Sequence, residues 1–116
     1  MKIEYDGKNY AMHYSFRIGM LYEQIQGKSI DLATFNQFDL IMLFYASFLS
    51  TLQYHKVNNI IRFEDFMNWI DDNGGEKLIV EFSNWYVNVI KQQYELIGNS
   101  DKEIKDKKEG EPDPNV

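Results

Sequence analysis

The chain contains no cysteine, two histidines and two prolines among its 116 residues. Without cysteine, disulfides and thiolate chemistry are excluded, which suits a reducing compartment. Its longest apolar run, Leu40 to Ala46, falls far short of the ~20 residues that span a bilayer. Lys2, Glu4 and Asp6 interrupt any apolar opening of the kind a signal peptide needs, so a soluble cytoplasmic protein is expected, without a membrane partner. Basic residues are scarce, with 12 Lys and Arg against 18 Asp and Glu and a net charge of −6. Residues 1–100 carry −4 of it and 101–116 carry −2, and no Lys/Arg cluster falls on a helix face. Both parts would repel a phosphate backbone, which argues against nucleic acid as a partner.

Patterns that carry catalysis are also missing. His13 and His55 stand alone, with no His-x-x-x-His or Glu-x-x-His spacing for a metal. Asp71-Asp72-Asn73 resembles the start of a calcium loop. Counting from Asp71, however, the required glycine position holds Glu76 and the bidentate acid position holds Phe82. Ser15, Ser29, Ser47, Ser50 and Ser83 lack the Gly-x-Ser-x-Gly context of a nucleophile elbow, and Gly27, Gly74 and Gly75 read as helix stops rather than a phosphate cradle. Glu64 and Asp65 are adjacent and so point to different azimuths of a helix. The expectation is a protein without enzymatic activity, cofactor or metal.

What the chain does have is aromatic side chains, at 16% of residues. "KIEYDGKNYAM" alternates Ile3 and Tyr5 with polar residues, turns at Asp6-Gly7, and alternates again through Tyr10 and Met12, the pattern of a β-hairpin. Ser15 is the candidate N-cap of a first helix whose stripe is Ile18, Leu21, Tyr22 and Ile25 and whose stop is Gly27, with Lys28 beyond to meet the negative helix end. A second helix is expected from about Asn36 to Tyr54, apolar almost all round, with Ser47, Ser50 and Thr51 as its polar strip. Such a helix is either central or shared with another chain. Phe63, Phe66, Met67 and Ile70 mark a short third helix ended by "DDNGG", and a fourth is expected from about Glu76 to Ile97, stopping at Gly98. The fold class is therefore α+β, mainly α: an N-terminal hairpin followed by about four helices. Residues 1–98 form the interaction domain, and 99–116, with both prolines and no aromatic, form a disordered acidic tail.

Phe63, Phe66, Trp69, Trp85, Tyr86 and Tyr94 are the candidate partner-binding residues, because Trp and Tyr concentrate at interface hot spots. Taken singly, each reads more readily as core. Taken together, helices two to four carry more large apolar side chains than a core of this size encloses, so part of the set is expected at an interface.

The order of these elements resembles the tail assembly chaperones of long-tailed bacteriophages and prophages. The resemblance runs over about residues 2–97 and rests on three stretches: the strand–Gly–strand opening, an "E-x-x-x-GKS" helix end carried by Glu23, Gly27, Lys28 and Ser29, and the Tyr45-Ala46 pair with Met42 at the position of a leucine. Before the third helix the chain departs from the family pattern. Arg62 stands where a capping threonine is usual, although Glu64 and Asp65 keep the acidic first turn. The resemblance implies a small non-enzymatic protein in the host bacterial cytoplasm. Such a protein binds and shields the tape-measure protein before the tail tube forms around it, self-associates, and in an extended form contacts the tube protein. A generic helical interaction module, such as a regulator or adaptor, is the alternative that the residues alone allow.

Overall fold

The computed structural model describes residues 1–58 and 60–109, with side chains described as far as Glu95. A two-stranded antiparallel hairpin, β1 (Lys2–Tyr5) and β2 (Lys8–Ala11), precedes α1 (Arg17–Gln26), α2 (Gln37–Tyr54), α3 (Phe63–Asp72) and α4 (Glu76–Glu109). One short 3-10 turn, Leu32–Thr34, lies between α1 and α2. The chain divides into two compact units, 1–84 and 85–116. The expected disordered tail over 99–116 falls on residues whose side chains, and from 110 whose backbone, lie outside the described set. The helix itself is continuous through Gly98, the expected stop; an interior glycine weakens a helix by about 1 kcal/mol without ending it.

The hairpin turns where Asp6-Gly7 places it, with φ of 53° and 78° at those two residues, the left-handed pair that a two-residue turn needs. Its register pairs Ile3 with Tyr10 and Tyr5 with Lys8, which puts Ile3, Tyr5, Tyr10 and Met12 on one face. Ile3 and Met12 are buried, and Tyr5 lies edge-on to Phe48 of α2 at 5.7 Å between centroids. A hairpin alone is marginal in water; this one rests its apolar face on α2.

Each helix end has a local cause. Ser15 Oγ accepts from the Arg17 N–H at 3.1 Å, so the expected cap acts two residues ahead of α1's first residue, although the N-cap position itself is Phe16. Gly27 ends α1 at φ 74°, its N–H donating to Glu23 O at 2.8 Å. Asn36 and Asp39 form a reciprocal capping box at the start of α2: the Asp39 N–H donates to Asn36 Oδ1 at 2.8 Å, and the Asn36 N–H to Asp39 Oδ2 at 3.2 Å.

α2 is central. Met42 through Phe48 and Ser50 through Leu52 are buried. α1 packs along it with Ile18 and Tyr22 buried, and Phe66 of α3 lies against Phe44, Tyr45 and Phe48. Phe44 anchors the aromatic core, stacked on Phe82 at 4.4 Å and 9° and edge-on to Phe66 at 5.2 Å. The serine–threonine strip of α2 faces inward and is fully buried. Ser47 Oγ donates to Leu43 O at 2.8 Å, and Thr51 Oγ1 accepts from the His13 N–H at 3.1 Å, fixing the chain just beyond the hairpin. Ser50 Oγ is buried with no partner among the described residues.

Candidate functional site

Two side-chain donors hold the hairpin to the helices. Its two-residue turn and the Met12 N–H to Met1 O bond at 2.8 Å set the ladder so that Lys2, Glu4, Asn9 and Ala11 direct their backbone groups outward. Trp69 of α3 donates its indole N–H to Glu4 O at 2.7 Å. His55, at the end of α2, places Nε2 3.0 Å from Ala11 O. One outward carbonyl on each edge is thus engaged, which blunts both edges against pairing with another chain. The lone histidines therefore serve architecture: His55 bridges to the hairpin, and the His13 ring stacks on Tyr54 at 3.6 Å.

The "GKS" stretch is also explained by the fold. Lys28 Nζ lies 3.5 Å from the buried carboxylate of Asp39 rather than at the end of its own helix. Gln26 Nε2 donates to the same carboxylate at 3.0 Å. Ser29 Oγ donates to Glu23 Oε2 at a long 3.4 Å. The stop of α1 is in this way fastened to the start of α2, a charged group buried with its partners in place.

Of the six expected partner-binding residues, two are buried. Phe66 is 0% exposed and Tyr86 5%, which removes both from direct surface contact. Phe66 is committed to Phe44, Tyr45 and Phe48 because the first turns of α3 close over α2. Phe63, Trp69 and Trp85 are half-buried, and Tyr94 is 69% exposed. Phe63 lies edge-on to Phe38 at 6.2 Å and to Tyr45 at 5.4 Å, leaving one flank open.

The open apolar surface sits largely elsewhere. Phe16 is 80% exposed, Met20 56%, Phe38 54% and Ile60 85%. Phe16 and Met20 fall one turn apart on the outer face of α1, off the Ile18–Leu21–Tyr22–Ile25 stripe. That off-stripe position was the available signal for them. With Ile30 they line a shallow depression of about 300 Å³. A larger groove of about 730 Å³ runs between β1 and α3, lined by Tyr5, by Asn58, Ile60 and Ile61 of the connector, and by Asp65, Asn68, Trp69 and Asp72.

Among the described residues, no group of three or more His, Asp or Glu could hold a metal ion, and no helix is long and apolar enough to cross a membrane. Burial, with Asp65 adding to it, raises the Tyr45 phenol above its ordinary value of 10.0. Its hydroxyl donates to Ile61 O at 2.6 Å, tying the connector to α2. Compared with protein-family models, with characterised proteins and with solved structures, the chain gives no significant match.

Proposed function

We propose that the chain is a tail assembly chaperone that binds and shields the tape-measure protein while a phage tail is built. The reading starts from the order of elements and the Glu23–Gly27–Lys28–Ser29 and Tyr45-Ala46 stretches that resemble that family. The observation that carries it is physical. The interior is already filled by Phe44, Phe48, Phe66 and Phe82, yet Phe16, Met20, Leu32, Phe38 and Ile60 each stay more than half exposed. Isolated exposed apolar residues are ordinary, but aromatic and long aliphatic side chains lining concave surfaces are what a helix-in-groove binder presents. A net charge of −6 keeps such a surface in solution until a client covers it.

The client would be the long helical tape-measure protein itself. Light scattering and native mass spectrometry of the full chain, alone and with a fragment of that protein, test the reading. Self-association and a defined complex are expected. A strict monomer that forms no complex with any fragment would remove the proposal.

A further inference from the structure

We infer that the groove between β1 and α3 is a seat for a basic amphipathic helix, one with Lys or Arg seven positions apart and an apolar residue midway between them. The inference rests on the chaperone reading and assigns a site and a chemistry to the client.

The groove lies wholly within the first compact unit. Asp65, Trp69 and Asp72 stand at i, i+4 and i+7 on α3, so they share one helix face with the indole between two carboxylates. Seven residues of helix rise about 10.5 Å. A partner helix with basic residues at the same spacing sets its charges opposite both carboxylates at once. Its apolar residue then falls over Trp69, against Tyr5 and Ile61. At that separation Asp65 and Asp72 cannot share one cation, whose oxygen ligands lie within about 2.6 Å of it.

The floor of the groove is rigid before any partner arrives. The Trp69 indole is held at its N–H by Glu4 O at 2.7 Å, and its ring lies 4.6 Å from Phe48 and 5.8 Å from Phe66. A preformed aromatic costs little further ordering on binding.

Charge decides the sign of the occupant. The lining has two carboxylates and no Lys or Arg. The neighbouring cation, Arg62, reaches Asp65 Oδ2 at 3.6 Å in a pair 74% and 56% exposed. Solvent-exposed pairs of that kind contribute little and exchange readily. An anionic helix would set like charge against both carboxylates, and a neutral one would gain nothing from them.

The test uses the full chain, isotope-labelled, titrated with a designed peptide of roughly fifteen residues, long enough to hold helix. The peptide has two lysines seven positions apart with a leucine midway; a second peptide has glutamate in place of both lysines. With the lysine peptide, the Trp69 indole N–H and the amides of Tyr5 and Asn68 are expected to shift, and affinity to fall with added salt. Asp65→Asn combined with Asp72→Asn is expected to weaken binding about threefold to tenfold, from two exposed ion pairs. Both carboxylates are exposed, so the variant keeps its fold, which circular dichroism verifies. Equal binding of the glutamate peptide, unchanged affinity of the double variant, or shifts confined to Phe16 and Met20 would each overturn the inference.

Fragments of a tape-measure protein separate this proposal from the chaperone reading. If a fragment binds with its shifts on α1 and no loss in the double variant, the chaperone reading stands and the seat is wrong. If the lysine peptide seats in the groove while no fragment binds, the seat stands and the chaperone reading is wrong. Binding of neither overturns both.

Discussion

Trp69→Phe is the substitution that best separates packing from fastening. The phenyl ring keeps a flat aromatic beside Phe48 and Phe66, but the donor to Glu4 O, 2.7 Å away, is lost. A hydrogen bond of this kind contributes about 0.5–1.5 kcal/mol net. The smaller ring, at a half-buried position, loses up to about 1 kcal/mol more of apolar burial. The combined loss of about 0.5–2.5 kcal/mol corresponds to about 4–8 °C in Tm for each kcal/mol in a domain of this size. The two parts differ in where they act. The packing loss weakens the whole domain, whereas the lost donor frees β1 alone and raises local opening of the hairpin about fivefold for each kcal/mol. Hydrogen exchange read residue by residue distinguishes them. The inward-facing amides of Ile3, Tyr5, Lys8 and Tyr10 are expected to exchange faster by more than the global loss explains, while α2 amides follow the global loss only. Uniform acceleration across hairpin and helices would show that Trp69 acts through packing and refute the fastening argument.

Three further outcomes follow from the buried polar groups. Ser50→Ala removes a hydroxyl that has no partner among the described residues, and is expected to be neutral or stabilising by up to about 1 kcal/mol in chemical denaturation. Thr51→Val keeps the shape but strips the His13 N–H of its acceptor, and is expected to cost about 1–3 kcal/mol in the same assay. Tyr45→Phe leaves Ile61 O without its donor and is expected to destabilise by a similar amount near neutral pH. For the wild type, the Tyr45 pKa is raised by folding above 10.0, so between the unfolded and folded values the native state binds more protons. That part of the stability is complete below about pH 10 and is lost as pH rises toward the folded value. Tyr45→Phe is expected to flatten this alkaline loss, and an equally steep loss in the variant would assign it to another group.

The parts of the fold legible in the sequence are those fixed by neighbouring residues. Asp6-Gly7 determines its own turn, Gly27 its own helix stop, and Asn36 the start of α2, so each is found where the pattern places it. The azimuth of an all-round apolar helix has no such local determinant. α2 presents apolar side chains in nearly every direction, and only its packing against α1, α3 and the hairpin decides that Phe44 is sealed while Phe38 is open. The same lack of local information sends Ser47 and Thr51 inward, where the Leu43 carbonyl and the His13 amide give them partners. Candidate binding residues were harder still. Large aromatics on α3 and α4 are as suited to core as to surface, and Phe66 and Tyr86 are buried. The open residues Phe16 and Met20 stood one turn apart but off the main stripe of α1. The groove along Trp69 needs β1 beside α3, a juxtaposition of residues 65 apart in sequence that no local pattern encodes.

The central claim is that the exposed apolar side chains exist to cover another polypeptide. It is tested most directly by a variant with Phe16, Met20, Phe38 and Ile60 all replaced by serine, compared with the wild type for its ability to keep a tape-measure fragment from aggregating. Phe16 is the N-cap of α1, where serine is a favoured residue, and the other three exposed substitutions change stability by about 0.5 kcal/mol or less each, so the variant remains folded. The account predicts that the wild type holds the fragment in solution at near-equal molar ratio and that the variant does not. A folded variant that protects the fragment as well as the wild type does would contradict it.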